Sequence, residues 1–226
     1  MNNSTAGILL LHKPPQKTSF YLVHLLRKLT RVRKIGHTGT LDPLATGVMV
    51  MLVGKAYTTQ CERLTKQEKV YETTALLGLE TDTQDITGNT LNTSLHQPTL
   101  QQVQEVLTQF QGEITQVPPL FSAKKIQGQK LYHLARQGKT IDRPPTTHTV
   151  TTTLLSYEYP RLRLRIRCTS GTYIRTLCHD IGQQLHTYGT METLVRTQNG
   201  PYTLDQCLSV KEIQTPAFPF IDHFLQ

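Results

Sequence analysis

The sequence has 226 residues, of which 37% are hydrophobic and 18% charged, and it contains no low-complexity tract. Because a chain of this length can bury a core of its own, the composition excludes a disordered chain, a collagen and a coiled coil. The 24 lysines and arginines outnumber the 16 acidic residues, and the resulting net charge of +8 favours a polyanionic partner. No apolar run approaches the ~18 residues of a membrane span, and residues 6–11 are too short for a signal-peptide core, so we expect a cytoplasmic protein without membrane contact.

The first elements in chain order are a strand, a helix and a loop. Gly7–Lys13 is a short apolar run of strand length, closed by two prolines. Thr18 or Ser19 can cap the helix that follows, and Gly36 ends it. Its apolar residues recur at helical spacing: Phe20, Val23, Leu26 and Leu29. Residues 36–43 (GHTGTLDP) are too rich in glycine and threonine for regular structure, so they predict a loop before strands at 48–53 and Lys69–Leu77.

The first 41 residues carry basic charge only. The first acidic residue is Asp42, and the cations before it are Lys13, Lys17, Arg27, Lys28, Arg31, Arg33 and Lys34. A solvated helix face normally mixes both signs of charge, so this segment favours a phosphate-facing surface, with the solvated face as the alternative.

The second half of the chain predicts an irregular alternation of strands and helices. Turn residues occupy 81–89, and an amphipathic helix follows from Leu100 to Phe110. Residues 118–145 are basic and bounded by prolines, which indicates an excursion from the core with a short helix around 131–136. Arg161–Cys168 alternates arginine with apolar residues as a strand does, and residues 171–185 return to helical period. Without a repeated βαβ rhythm, the pattern predicts an α+β fold and no linker between independent domains.

Asp42 is the first candidate for chemistry. It ends a loop with two glycines, which let the backbone approach a ligand closely, and it follows the most basic stretch of the chain. A carboxylate among cations stays ionised and can act as a nucleophile or base. The alternative is that Asp42 caps a helix whose first residue is Pro43. His37, in the same loop, could stack on a base or bond within the loop.

Other residues allow two interpretations each. Arg175 starts a helix that faces the core, where an inward guanidinium requires a carboxylate or phosphate, although an exposed arginine fits the spacing equally well. Tyr71 alone indicates packing. The four arginines of 161–167 favour a solvated sheet face over a phosphate track.

The remaining motifs exclude several protein classes. Residues 81–85 resemble Asx-turns more than a calcium loop, because the rest of the twelve-residue pattern is missing. There is no P-loop, G-x-S-x-G, G-x-G-x-x-G or H-E-x-x-H. The nine histidines are scattered and the four cysteines (Cys61, Cys168, Cys178 and Cys207) lack C-x-x-C spacing, so free thiols and no metal are expected.

Several segments, in order from about residue 7 to about residue 202, resemble the TruB family of tRNA pseudouridine synthases. The longest covers residues 34–47 and is similar to the catalytic motif of the family over its whole length. The others are residues 7–11 with Lys13-Pro14 and Thr18-Ser19, residues 69–71, 78–88 and 170–177, and Leu194 with Arg196-Thr197 and Gly200. Within 118–145, the resemblance to an RNA-gripping insertion rests on Pro118-Pro119, Ser122-Ala123, Lys125, Gly128, Leu131-Tyr132 and Ala135-Arg136.

The resemblance implies a pseudouridine-synthase fold, with a mixed, mostly antiparallel, bent central sheet flanked by helices and loops. It implies an isomerase that converts the T-loop uridine at tRNA position 55 to pseudouridine by base flipping. Asp42 would be the catalytic carboxylate, Arg175 its ion-pair partner and Tyr71 the residue that stacks on the base. RNA or substrate contacts would come from Lys13, His37, Lys125, Arg136, Tyr173 and Leu194. The reaction needs no cofactor and no metal.

The resemblance also implies how the protein works. We expect a single catalytic domain over residues 1–226 with an RNA-binding insertion at about 118–145 and no C-terminal PUA domain. It would bind the T stem-loop of tRNA as a monomer, without a guide RNA or a protein partner. The sequence departs from the family pattern at His12, Gln16, Thr146, His148, Val195 and Tyr202. These departures affect RNA affinity and the first turn rather than activity.

Two other functions remain as alternatives. The protein could be an RNA chaperone that flips and refolds the T arm, although an intact catalytic loop argues against a purely binding role. It could also be a base-flipping glycosylase, which would release uracil.

Overall fold

The structure is a computed structural model that describes residues 6–119, 122, 125–126, 129–130 and 142–225. The chain forms two compact units, one of Met1–Tyr71 with Leu194–Gln226 and one of Glu72–Thr193. The boundary falls within two strands, Lys69–Leu77 and Gly189–Asn199. A single catalytic domain over the whole chain stays a prediction.

The strands of the described residues are β1 (Gly7–Lys13), β2 (Ile35–His37), β3 (Thr46–Val53), β4 (Lys69–Leu77), β5 (Leu79–Thr81), β6 (Thr90–Thr93), β7 (Gln111–Gln116), β8 (Lys125–Ile126), β9 (Gln129–Lys130), β10 (Thr146–Glu158), β11 (Arg161–Cys168), β12 (Gly189–Asn199), β13 (Tyr202–Thr203) and β14 (Leu208–Ser209). The α-helices are α1 (Ser19–Thr30), α2 (Lys55–Thr58), α3 (Cys61–Thr65), α4 (Leu100–Thr108), α5 (Ile174–Gln184) and α6 (Val210–Ile213). Leu204–Gln206 and Phe220–His223 are 3₁₀ turns. No helix in the described ranges is long and apolar enough to cross a bilayer.

The first unit contains a mixed sheet centred on β3. Strand β1 pairs with β3 in antiparallel register from Gly7 opposite Val53 to Lys13 opposite Gly47. On its other edge β3 carries β2, antiparallel, and the end of β12, parallel, while β14 adds to β1 in parallel. Both faces of β1 and β3 are buried, which explains why their sequences are continuous apolar runs.

The second unit is built on the antiparallel strands β7, β10 and β11. The apolar residues of β11 are buried and its four arginines are exposed, as the alternation predicts. Helix α4 begins with a capping box in which Thr99 and Gln102 satisfy each other's backbone N–H groups. The α+β fold class and its mixed sheet are confirmed.

Some element boundaries differ from the sequence prediction. The first helix ends at Thr30 rather than Gly36, because Arg31 adopts a left-handed conformation with a φ of 59°. Gly36 and His37, predicted in a loop, lie in β2 because they pair with β3. Gln16 also takes a left-handed φ of 60°, the conformation that glycine favours, so the first turn keeps a glycine-like backbone. The helix predicted around 131–136 lies outside the described residues.

Candidate active site

Asp42 lies on the connection between β2 and β3 and is half-buried. The amide of Ala45 donates to the carbonyl of Asp42 at 3.1 Å, which closes a turn before β3 begins at Thr46. Because a strand and not a helix follows Pro43, the alternative of a helix cap at Asp42 is wrong.

Ser19 holds the residue next to Asp42. Its Oγ donates to the carbonyl of Leu41 at 3.0 Å and accepts from the amide of Leu41 at 2.8 Å. Ser19 is buried and is the first residue of α1. The helix therefore fixes the loop through the backbone N–H and the carbonyl of Leu41. The loop can therefore present Asp42 in a fixed position, which a catalytic carboxylate requires.

Lys13 is a buried cation at the other side of Asp42. Its side chain is 0% exposed, and its Nζ donates to the carbonyls of Pro14 (2.9 Å), Lys17 (2.6 Å) and Pro43 (3.1 Å). An ammonium has three N–H donors, and all three are used inside the chain. The structure therefore corrects the prediction that Lys13 contacts RNA: Lys13 ties the first turn to the carbonyl group of Pro43, the residue after Asp42, instead.

Arg196, on β12, is a second buried cation at this loop. It is 1% exposed, and its Nε donates to the carbonyl of Val48 at 2.8 Å. One terminal nitrogen reaches the carbonyl of Gly39 at 3.2 Å and the sulfur of Met49 at 3.0 Å. The close approach of β12 requires glycine at position 47, where a Cβ would lie 2.2 Å from the carbonyl oxygen of Arg196.

The two cations make the region around the loop electropositive. Burial lowers the pKa of Lys13 to about 8, the charge of Asp42 raises it and that of Arg196 lowers it further. Burial and Arg196 also lower the pKa of His37, and a bond from the Gly39 amide to its Nδ1 at 3.4 Å acts in the opposite direction. His37 is therefore neutral at pH 7, while the attraction between Lys13 and Asp42 favours an ionised carboxylate.

Two more predicted site residues of the first unit lie in strands at the boundary of that unit. Tyr71 in β4 and Leu194 in β12 are each 7% exposed. Near them, the hydroxyl of Thr197 donates to the carbonyl of Val70 at 3.3 Å. Their roles in substrate binding stay predictions.

Arg175 lies in the second unit and points inward. It is 5% exposed, and it donates to the carbonyl of Thr83 at 3.0 Å and lies 3.7 Å from a carboxylate oxygen of Asp85. The other oxygen of Asp85 accepts from Thr83 and from the amide of Thr87, the Asx-type turn predicted for this segment. The alternative of an exposed arginine is wrong, and a carboxylate partner is present. The pairing of Arg175 with Asp42 stays a prediction.

Tyr173 precedes the helix that carries Arg175. Both of its backbone groups bond to the buried side chain of Gln116: the amide at 3.0 Å and the carbonyl at 3.2 Å. His148 lies close to Gly171, two residues before Tyr173. Its Nε2 is 2.9 Å from the hydroxyl of Thr146, and one of its ring carbons is 3.2 Å from the position that a Cβ on Gly171 would occupy. These two departures from the family pattern thus make a polar contact beside the arginine motif.

Comparison with family models identifies the chain. A model described as "TruB family pseudouridylate synthase (N terminal domain)" matches residues 27–174, and one described as "tRNA pseudouridylate synthase B C-terminal domain" matches residues 175–220. The chain belongs to the TruB family. It is thus a member of a family of isomerases, as the sequence predicts.

Curated relatives agree with the TruB assignment. A protein of Protochlamydia amoebophila named tRNA pseudouridine synthase B is 51% identical over 92% of this chain and 80% of its own length. One of the same name from Chlamydia muridarum is 46% identical over 96% of this chain and 90% of its own. A solved structure titled "Crystal Structure of a Cbf5-Nop10-Gar1 Complex" matches with a TM-score of 0.72 and 27% identity, over 91% of this chain and about half (53%) of that chain.

Sequence reasoning on the TruB motifs missed the residues that support the loop. Arg196 and Ser19 were both part of matched motifs, but Arg196 received no role and Ser19 received only that of a possible helix cap. Asp85 was assigned to a turn and not to Arg175. In each case the partner is distant in sequence: 147 residues separate Arg196 from Met49 and 22 separate Ser19 from Leu41. An arginine that directly follows the apolar residues Leu194 and Val195 was the available signal.

The predicted RNA-binding insertion is described only in part. Lys125 lies in the β8–β9 hairpin, opposite Lys130, and Arg136 lies outside the described residues. The arginines of β11, in contrast, form a solvated face. Arg161 pairs with Glu192 and Arg165 with Glu72, both at 2.8 Å, which confirms the solvated interpretation.

Proposed function

We propose that the protein is a tRNA pseudouridine synthase that isomerises the T-loop uridine at position 55, with Asp42 as its catalytic carboxylate. The observation that carries the proposal is the half-buried Asp42 on a loop fixed by Ser19 and by two buried cations, Lys13 and Arg196. The relatives named tRNA pseudouridine synthase B support tRNA as the substrate.

The reaction explains why one carboxylate suffices. The N1–C1′ bond of uridine breaks, the base turns, and a C5–C1′ bond forms, while C5 loses a proton and N1 gains one. Reactant and product have the same composition and oxidation state, so no cofactor is needed. An ionised Asp42 can attack C1′ or remove a proton from the ribose to assist elimination, and either path needs the carboxylate held against the sugar.

The other residues would prepare the substrate. The uridine must leave its stack before Asp42 can reach the ribose, at a cost of a few kcal/mol that stacking on Tyr71 would partly recover. Arg175 would pair with Asp42, and Leu194 would pack against the base. A neutral His37 suits insertion into space that the flipped nucleotide leaves, because an uncharged ring loses less solvation there.

Pseudouridine mapping on an unmodified tRNA transcript tests this proposal. The wild-type protein should convert the uridine at position 55, and a transcript with cytidine there should not react. Asp42→Asn keeps the shape of the side chain and removes its charge, and should abolish conversion. Asp205→Asn, the same change at an exposed position of the same unit, is the control and should leave conversion unchanged. Equal activity of the two variants would exclude Asp42, and free uracil among the products would indicate the glycosylase.

We also propose that the protein acts in the cytoplasm as a monomer, without guide RNA or protein partner. Four free cysteines agree with a reducing compartment. Purified protein should convert the transcript with no added component, and light scattering should give a mass near 25.6 kDa. A larger mass would refute the monomer, and dependence on a cell extract would refute independent action.

A further inference from the structure

A group of exposed cations lies at the end of α1. Arg27 is on the last turns of the helix, and Arg31, Arg33 and Lys34 are on the segment that leads to β2. Together with Val32 they line one shallow depression. These four basic residues are called the α1 basic surface below.

The α1 basic surface differs from the other basic face of the protein because its charges are uncompensated. Two of the β11 arginines bind carboxylates, as described above. Among the residues that the structure describes, no carboxylate lies within 4.0 Å of a side-chain nitrogen of the α1 basic surface. Arg27 instead lies over the ring of Phe20, 5.7 Å from its centroid, and Phe20 is itself 60% exposed. Exposed cations beside an exposed aromatic ring are typical of nucleic-acid surfaces.

Helix α1 fixes the distance between this surface and the catalytic loop. Its first residue, Ser19, bonds to Leu41, next to Asp42. Arg31 follows 12 residues later, and a rise of 1.5 Å per residue places it about 18 Å along the helix axis. An A-form RNA helix rises somewhat less per base pair than the ~3.4 Å of B-form DNA, so 18 Å corresponds to about six phosphates along one strand.

We propose that the α1 basic surface binds the phosphate backbone of the double-helical arm of the RNA substrate, about six base pairs from the reacting nucleotide. This inference rests on the proposed function for the identity of the RNA. A guanidinium group can form bidentate hydrogen bonds with two phosphate oxygens, and three of the four cations are arginines. The surface sets affinity and orientation and takes no part in bond breaking.

The size of the effect follows from counterion release. Each duplex phosphate that a cation neutralises contributes about 0.9 to the slope of log affinity against log salt. Four contacts therefore contribute a slope of about 3.6, and about a hundredfold in affinity between 50 and 200 mM salt.

The test compares two variants that remove the same number of charges. R27Q/R31Q/R33Q/K34Q neutralises the α1 basic surface, and R161Q/R163Q/R165Q/R167Q neutralises the β11 face as the control. Binding of a fluorescent tRNA transcript is measured from 50 to 200 mM salt, with folding checked by circular dichroism. The first variant should bind at least tenfold more weakly at 150 mM, with a salt slope smaller by about 3.6, and the control should keep the wild-type slope. Conversion at saturating RNA should be unchanged in both.

A shortened stem-loop locates the contact. With an arm of two base pairs, the wild type and the first variant should bind equally, because the phosphates that the surface contacts are missing. A loss that persists on the short arm, or equal slopes for the two variants on full tRNA, would overturn the inference. So would loss of binding to phosphatidylserine vesicles with unchanged tRNA binding, which would assign the surface to a membrane. If wild-type protein binds tRNA through this surface but forms no pseudouridine, the proposed function fails and the surface stands.

Discussion

Replacing Arg196 by methionine tests the support of the catalytic loop. Methionine has a similar length but cannot donate to the carbonyls of Val48 and Gly39, which lie 2.8 and 3.2 Å from the guanidinium nitrogens. Each hydrogen bond from a charged group contributes about 1.5–3 kcal/mol. Among the residues that the structure describes, the partners of this buried charge are carbonyl groups and a sulfur, with no carboxylate, so removing the charge offsets part of this loss. We therefore expect Arg196→Met to lower the free energy of unfolding by about 2–4 kcal/mol.

Urea unfolding followed by circular dichroism measures this loss, with Arg163→Met as the control. Arg163 is exposed on β11, so the same replacement there should change the free energy by less than about 0.5 kcal/mol. A second readout is the pKa of His37 by NMR, which should rise in Arg196→Met because Arg196 lowers it in the wild type. A loss below about 1 kcal/mol together with an unchanged pKa of His37 would refute the role assigned to Arg196.

Three more changes test separate parts of the structure, all by urea unfolding. Gly47→Ala should cost more than about 2 kcal/mol, because the Cβ would lie 2.2 Å from the Arg196 carbonyl oxygen at a φ of 112°. The stability advantage of the wild type over Lys13→Met should grow as the pH rises from about 8 towards 10.5: the folded pKa is the lower one, so the unfolded chain binds more protons there. Glu72→Gln should cost less than about 1 kcal/mol, because its ion pair with Arg165 is largely exposed.

Each of these predictions has its own control. Gly112→Ala has a φ of 78° but open space around the Cβ, so it measures backbone strain alone and should cost less than Gly47→Ala. Equal losses would mean that β12 does not approach Gly47 closely. A constant difference between wild type and Lys13→Met over the pH range would show that the pKa of Lys13 is not lowered. A large loss in Glu72→Gln that 0.5 M salt does not reduce would contradict a solvent-screened ion pair.

Local sequence patterns predicted the elements whose stability is local or whose burial is periodic. β1, β4 and β11 have the predicted bounds, and α4 starts at its predicted first residue, Leu100. Gly36 and His37 were predicted in a loop because residues 36–43 are rich in glycine and threonine, and pairing with β3 makes these two residues part of a strand. The end of α1 was missed because a left-handed arginine at position 31 leaves no sequence signal.

In the candidate site, too, local sequence patterns predicted some features, whereas others depend on contacts between residues that are distant in sequence. An inward Arg175 with a carboxylate or phosphate partner was one of two interpretations of its position on a core-facing helix. The sequence could neither exclude an exposed arginine nor identify Asp85 as the partner. Lys13 was predicted at a phosphate surface because it belongs to a basic segment. The hydrogen bonds that bury it come from the turn at Pro14 and Lys17 and from Pro43, and this three-dimensional arrangement has no counterpart in the local sequence.

The carboxylate of Asp42 is central to the account, and single-turnover release of tritium tests it most directly. In a tRNA transcript labelled at C5 of uridine, the label reaches solvent only when C5 loses its hydrogen to form the bond to C1′. The account predicts release of one equivalent per tRNA by the wild type and none by Asp42→Asn, although both bind the tRNA with equal affinity. Release by Asp42→Asn at the wild-type rate would contradict it.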